Sequence, residues 1–199
     1  MKISDLRLTV VGTPWRELVF LELTTDDGLT GVGEVRMVNK TDTLIACIGE
    51  LAPRYVVGTD PFDVERLAWN VQRAEYGRPG EVTQSALAAF DVACWDLMGQ
   101  ILGVPLWKLL GGRFRDRVPA YANGWYQAQR DPQAIARLAR AVVKKGYRGM
   151  KLDPFGAASA ELSTAERRRA VSIVAAVREA VGPDVQIMLE MHGRFSPGT

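Results

Sequence analysis

The 199-residue sequence contains a single histidine, His192, two residues after Glu190 and close to the last residue. Imidazole is the side chain whose free pKa lies near neutrality, so His192 is the obvious proton-transfer group. A glutamate beside it can ligate a metal or move a proton. Lys151 and Asp153 form a second ionisable pair with the same spacing. Residues i and i+2 share a face of a β-strand, so each pair would project to one side of its strand. Alone, a Lys-x-Asp at a strand end is more often a solvated ion pair than chemistry, and a Glu-x-His is evenly balanced. Their recurrence at equivalent ends of successive strands turns the balance toward a functional site.

The elements that must hold these pairs are legible. In DVQIMLEMH, residues 184–192, Val185, Ile187, Leu189 and Met191 fall on one apolar face. Gln186, Met188, Glu190 and His192 fall on the other, with the polar pair at the C-terminal end. YRGMKLD, residues 147–153, repeats the scheme: Met150 and Leu152 point one way, Lys151 and Asp153 the other. RVPAYAN, residues 117–123, reads as a preceding strand ending on Tyr121 and Asn123. Between these strands, Asp131-Pro132 opens a helix that ends near Lys145-Gly146, and Ser163-Thr164-Ala165-Glu166 is a capping box opening another. The order β-α-β-α-β requires crossover connections and hence a parallel sheet. Its carboxyl ends, where the polar groups collect, are where α/β barrels and open α/β sheets build active sites. A dinucleotide-binding sheet would carry a Gly-x-Gly-x-x-Gly turn after its first strand, and NGWYQAQ does not.

The first hundred residues follow another grammar. LRLTVV, ELVFLELTT and LTGVGEV alternate as three short strands, the last two joined across Asp26-Asp27-Gly28. Amphipathic helices are expected over about 41–51, over about 61–75 with Asp60 as cap and Pro61 in the first turn, and over about 82–102. The third carries Val82, Ala86, Phe90, Ala93, Leu97 and Ile101 on one face. Two domains follow, residues 1–112 and 113–199.

Composition narrows the function. Net charge is +2, and the run Arg167-Arg168-Arg169 falls in a predicted helix, where it reads as a solvated face rather than a nucleic-acid surface. Cys47 and Cys94 are far apart and lack metal-site spacing, so neither a disulfide framework nor zinc is expected. No stretch is expected to approach the ~20 apolar residues of a membrane span. The reading is a soluble, cytoplasmic protein with neither nucleic acid nor membrane as partner.

The segment ALAAFDVACWDLMGQILGVPLWKLLGG, residues 86–112, resembles the mandelate racemase and muconate lactonizing branch of the enolase superfamily. The resemblance rests on Ala86, Asp91, Ala93, Asp96, Gly99, Gln100, Pro105, Leu106, Leu109, Leu110 and Gly111 and extends over the whole chain. It implies an α+β capping domain followed by an incomplete (β/α) barrel containing the first three barrel strands. It also implies removal of the proton α to a substrate carboxylate, with bound Mg²⁺ stabilising the enediolate, chemistry described for this superfamily. On that pattern Lys151 polarises the substrate carboxylate, and Asp153 stands where racemases and cycloisomerases carry a second, catalytic lysine. Glu190 matches the first metal ligand. His192 falls where the sugar-acid dehydratases, galactonate dehydratase-like and mannonate dehydratase-like, protonate the departing hydroxyl. Arg194 fixes the loop or contacts substrate, Asn123 and Asp153 lie beside the substrate, and Trp15 and Arg16 sit in a loop that closes over it.

The expected function is Mg²⁺-dependent dehydration of a sugar acid to a 2-keto-3-deoxy acid, in a homo-oligomer. Two alternatives stand: a racemase, epimerase or cycloisomerase of the same superfamily, and a non-catalytic chain. A complete barrel takes about 250 residues from its first strand, so a whole of roughly 370 is expected, and the resemblance implies that the remainder carries further strands, two more metal carboxylates and a His-Asp base.

Overall fold

In the computed structural model, which describes residues 1–74 and 76–199, the chain forms two compact units, Met1–Phe114 and Arg115–Thr199. The first is built on an antiparallel sheet of β1 (Ile3–Thr13), β2 (Arg16–Thr25) and β3 (Thr30–Val35), in that order. Alternation along β2 buries Val19, Leu21, Leu23 and Thr25. Thr25 is satisfied where it is buried: its hydroxyl donates to Asp27 Oδ1 at 2.5 Å and accepts the Leu29 N–H at 3.0 Å. Gly28, at φ +89°, supplies the left-handed residue of this turn. β1 extends beyond LRLTVV at both ends because it pairs with β2 as far as Thr13–Arg16, where the Thr13 hydroxyl donates to the Arg16 carbonyl at 2.7 Å.

α1 (Thr41–Leu51) leads into a π-helical turn, Ala52–Val56, and then α2 (Val64–Ala74), α3 (Glu81–Leu102) and the short α4 (Leu106–Leu109). α2 starts later than expected. The Asp60 carboxylate accepts the Phe62 N–H at 2.9 Å, closing a local turn in which Pro61 sits ahead of the helix. The expected end of this helix at Glu75 lies outside the described residues.

α3 is the central helix of the unit. It buries Ala86, Ala89, Phe90, Ala93 and Leu97 against the sheet and α1. A Cβ on Gly31 would fall 2.3 Å from the Ala93 carbonyl oxygen, and one on Gly33 would fall 2.4 Å from that of Ala89. These two glycines let helix and strand backbones meet directly. Asp96 and Gln100 then satisfy the strand's outer edge: Asp96 Oδ2 accepts the Val32 N–H at 2.9 Å, and Gln100 Nε2 donates to the Thr30 carbonyl at 2.8 Å. By length and composition α3 is apolar enough to cross a bilayer, contrary to the sequence expectation. Half of its residues in that stretch are buried inside the unit, as befits a core helix.

In the second unit α5 (Pro132–Lys144), β4 (Gly149–Leu152), α6 (Thr164–Val181) and β5 (Gln186–Leu189) alternate, with β4 and β5 paired parallel. Ile135, Ala139 and Val142 of α5, Ile173 and Val177 of α6, and Met150 and Leu152 of β4 share one core with Val185. Asp131 caps α5, its Oδ1 accepting the Ala134 N–H at 2.7 Å. Ser163 Oγ caps α6 by accepting the Glu166 N–H at 3.2 Å. Glu166 does not complete the capping box; its carboxylate pairs instead with Arg130 at 2.5 Å.

Residues 117–123 are not a continuous strand. Ala122 alone bridges to Met150, with hydrogen bonds of 3.0 and 2.9 Å through its N–H and C=O. Pro119 cannot donate to a ladder, which removes one pairing position from this segment. β5 also stops short, at Leu189, because the backbone turns at His192 and Gly193, with φ of +52° and +62°. The apolar face expected to lie under helices is covered only in part: Val185 is buried, but Leu189 and Met191 are exposed. The fold is an α+β unit followed by an incomplete (β/α) barrel, here the paired strands β4 and β5 with the Ala122–Met150 bridge beside them.

Candidate active site

Five side chains, Lys151, Asp153, Glu190, His192 and Arg194, gather at the carboxyl ends of β4 and β5. Lys151 is the outward residue of β4, between the buried Met150 and Leu152. Its Nζ lies 2.6 Å from Glu190 Oε2 and 5.8 Å from the centre of the Tyr121 ring. The other carboxylate oxygen of Glu190 accepts the backbone N–H of His192 at 3.1 Å. The hydrogen bond from Lys151, followed by that from His192, holds the Glu190 carboxyl well below its ordinary range, down to about 2. The same hydrogen bond to Glu190 pushes the Lys151 ammonium pKa up.

Asp153 is the better buried carboxylate, 14% exposed. Its Oδ1 accepts the Phe155 N–H at 3.0 Å, and its Oδ2 accepts from Arg194 Nη2 at 2.7 Å. His192 Nδ1 stands 3.4 Å from the same Oδ2, while its imidazole is more than half exposed. Arg194 also donates through Nη1 to the Gly156 carbonyl at 2.7 Å, so it ties the segment after β5 to the turn after β4. Phe155 and Phe195 meet edge to face beside it, with centroids 5.0 Å apart. The bland reading of Lys-x-Asp as a solvated pair does not describe this geometry: the two residues take separate partners, Lys151 with Glu190 and Asp153 with Arg194 and His192.

Alternation alone does not account for His192. Glu190 and His192 were expected to share the face of a continuing strand, yet His192 sits in a left-handed turn. The turn still delivers its ring to Asp153, because the Glu190 carboxylate folds back onto the His192 N–H. Asn123 closes a local turn, its Oδ1 accepting the Gly124 N–H at 2.9 Å. Trp15 and Arg16 belong to the first unit, where they line a cavity of about 510 Å³ with Arg36 and Lys40. One member of the network escaped sequence reasoning. Arg130 donates to the Pro154 carbonyl from Nε at 3.1 Å and from Nη2 at 2.7 Å. No sequence pattern marks an arginine whose partner is a main-chain oxygen 24 residues away.

These residues do not by themselves fit Mg²⁺. The ion prefers six oxygens in octahedral array. Among the described residues no group of three His, Cys, Asp or Glu side chains converges, and both oxygens of Glu190 are engaged.

The Lys151–Glu190 pair makes an acid-dependent prediction. Glu190 holds its proton less readily when folded, at about 2 against the usual 4.5. The pair's contribution to stability is therefore complete above pH 4.5 and lost as pH falls toward 2. Lys151→Met removes it. The urea midpoints of variant and parent should differ at neutral pH and draw together as pH falls to about 2. A gap unchanged across that range would show that the pair contributes nothing.

The chain is similar to known proteins along most of its length. The family model described as the N-terminal domain of mandelate racemase / muconate lactonizing enzyme matches residues 4–111, and that described as enolase C-terminal domain-like matches residues 134–199. D-gluconate dehydratase of Thermoproteus tenax is 41% identical over 180 residues, covering 89% of this chain and 36% of that protein. D-galactonate dehydratase of Klebsiella pneumoniae (strain 342) is 35% identical over 204 residues, covering 98% of this chain and 50% of that protein. The chain thus spans half or less of the length of these two relatives. Among solved structures, a mandelate racemase/muconate lactonizing enzyme from Jannaschia sp. CCS1 superimposes with a TM-score of 0.89 at 28% identity, covering 100% of this chain and 56% of the other.

Proposed function

The chain belongs to the mandelate racemase / muconate lactonizing enzyme family of the enolase superfamily, and on that premise we propose that it contributes the acid side of a sugar-acid dehydratase site. The substrate class is an aldonate, in keeping with relatives named for gluconate and galactonate. The observation that supports this reading is the pairing of the only histidine with the partly buried Asp153 carboxylate at the strand ends. With Nδ1 turned to Asp153, the other ring nitrogen is the one available to a ligand. Asp153, 3.4 Å from Nδ1, fixes the orientation of the ring, which a positioned general acid requires.

In the proposed reaction a base takes the C2 proton of the aldonate. The C–H electron pair is first held in the carboxylate group as an enediolate, and it then returns to form the C2=C3 bond as the C3–O bond breaks. His192 delivers its proton to the departing hydroxyl, which leaves as water, and the enol formed tautomerises to a 2-keto-3-deoxy acid. Lys151 places a positive charge beside the substrate carboxylate, and Glu190 holds that ammonium in position. We assign the base to none of these side chains: Lys151 is kept protonated by Glu190, and both carboxylates are ion-paired. Arg194, Asp153 and Asn123 border the substrate in this reading. Glu190 is the carboxylate this chain would offer to Mg²⁺, in a site that needs further oxygen donors.

The racemase or cycloisomerase reading is weaker. The position of its second lysine is held by Asp153, whose two oxygens are occupied by Phe155, Arg194 and His192. The test is incubation of the protein, as its host makes it, with a panel of aldonates. Formation of a 2-keto-3-deoxy acid is expected. Epimerised acid without dehydration would replace this proposal with the racemase reading.

A further inference from the structure

The turn after β4 is gripped from two sides. Arg194 takes the Gly156 carbonyl and the Asp153 carboxylate, each at 2.7 Å. Arg130 comes from the other direction, at the residue preceding the cap of α5, and takes the Pro154 carbonyl with two of its N–H groups. Its third contact, Nη1 to Glu166 Oε2 at 2.5 Å, anchors the guanidinium to the first turn of α6. The side chain is 24% exposed and packs so closely that a Cβ on Gly156 would fall 2.9 Å from Arg130 Cδ. Asp153, immediately before Pro154, is the residue that holds both Arg194 and His192.

We propose that Arg130 is a positioning residue that sets the His192–Asp153–Arg194 geometry by clamping the turn 153–156; this rests on the reading of His192 as the general acid. Arg130 touches neither substrate nor His192 and acts through the peptide that follows Asp153. Only a planar fork with several donors can take one carbonyl twice and a carboxylate at once. A lysine keeps the charge but not the fork. The alternative is a purely structural arginine that joins the N-terminal ends of α5 and α6, in which case its loss lowers stability and leaves the chemistry of the folded protein untouched.

The test uses Arg130→Gln, Arg130→Lys and Glu166→Gln in the protein as its host makes it. Hydrogen exchange reads the turn through the Phe155 N–H, bound to Asp153, and the Ala160 N–H, bound to the Arg194 carbonyl at 2.8 Å. Losing hydrogen bonds to charged groups should speed exchange at both by about tenfold or more, while β4 amides keep their protection. On an aldonate that the parent enzyme turns over, Arg130→Gln should lower kcat by about tenfold or more with a smaller rise in KM, since the acid step is displaced more than binding is. Arg130→Lys should recover part of the loss. Unchanged exchange overturns the proposal, and so does a loosened turn with unchanged kcat. Should the parent turn over no aldonate, the dehydratase reading fails, and exchange alone decides whether Arg130 sets this turn. Should Arg130→Gln fail to fold, Glu166→Gln, which leaves the arginine in place without its anchor, carries the same two readouts.

Discussion

Replacing His192 by asparagine is expected to slow dehydration by about 10²–10⁴-fold, the usual worth of a positioned general acid. The substitution suits the site. His192 has a φ of +52°, and asparagine is among the few residues other than glycine that occupy the left-handed region readily. The Glu190 carboxylate binds the backbone N–H of residue 192, so that contact survives the change of side chain. The imidazole is 58% exposed, and an exposed substitution of this kind changes stability by only about 0.5 kcal/mol. Activity should therefore collapse in a protein that melts almost where the parent does. Steady-state turnover on an aldonate, paired with a thermal melt, checks this. A loss of less than tenfold would remove His192 from the chemistry.

The largest expected effect on stability lies far from these side chains, in β3. Gly31→Ala and Gly33→Ala each place a methyl group against a carbonyl oxygen of α3, at 2.3 and 2.4 Å. The obstacle is backbone, so no side-chain rotation relieves it, and the helix must lift from the sheet. Overpacking costs about 1–3 kcal/mol where side chains can give way, and these two sites should reach at least the top of that range. Lifting α3 also strains the bonds from Asp96 to Val32 and from Gln100 to Thr30. At about 4–8 °C per kcal/mol for a domain of this size, melting of the first unit should fall by more than about 10 °C. Gly49→Ala, in α1 and with open space around its Cβ, is the control and should leave the melt unchanged or raise it. Equal melting temperatures for Gly33→Ala and Gly49→Ala would refute the close approach of α3 to the sheet.

The same contacts explain why the family pattern could be read before the fold was seen. Asp96 and Gln100 satisfy the open edge of β3, Ala93 faces Gly31, and Gly99 lies under the Val104 carbonyl, where a Cβ would fall at 3.1 Å. That run of residues 86–112 identifies a helix packed on a sheet edge rather than a piece of chemistry. Helix starts at Asp131 and Ser163 were legible because their side chains bond N–H groups three residues ahead, a local matter. The Asp60 turn was misread because the same carboxylate can bond two residues ahead instead. Strand lengths in the second unit were overestimated, since alternation says which face a residue takes and not where its partner strand stops. Lys151, Asp153 and Glu190 could be placed by parity from β4 and β5. The route by which His192 reaches Asp153 could not, because it depends on a left-handed turn and on a carboxylate folding back on the main chain. Arg130 left no trace at all, its partners being a carbonyl and a glutamate 36 residues away.

The central claim is that His192 gives a proton to the leaving hydroxyl and does not take the one from C2. It is tested most directly by following an aldonate substrate in D₂O by NMR with the His192→Asn protein. The account predicts that deuterium enters C2 while no 2-keto-3-deoxy acid accumulates, because the base and the Lys151–Glu190 pair are untouched. Loss of C2 exchange together with turnover, in a variant that melts like the parent, would contradict it.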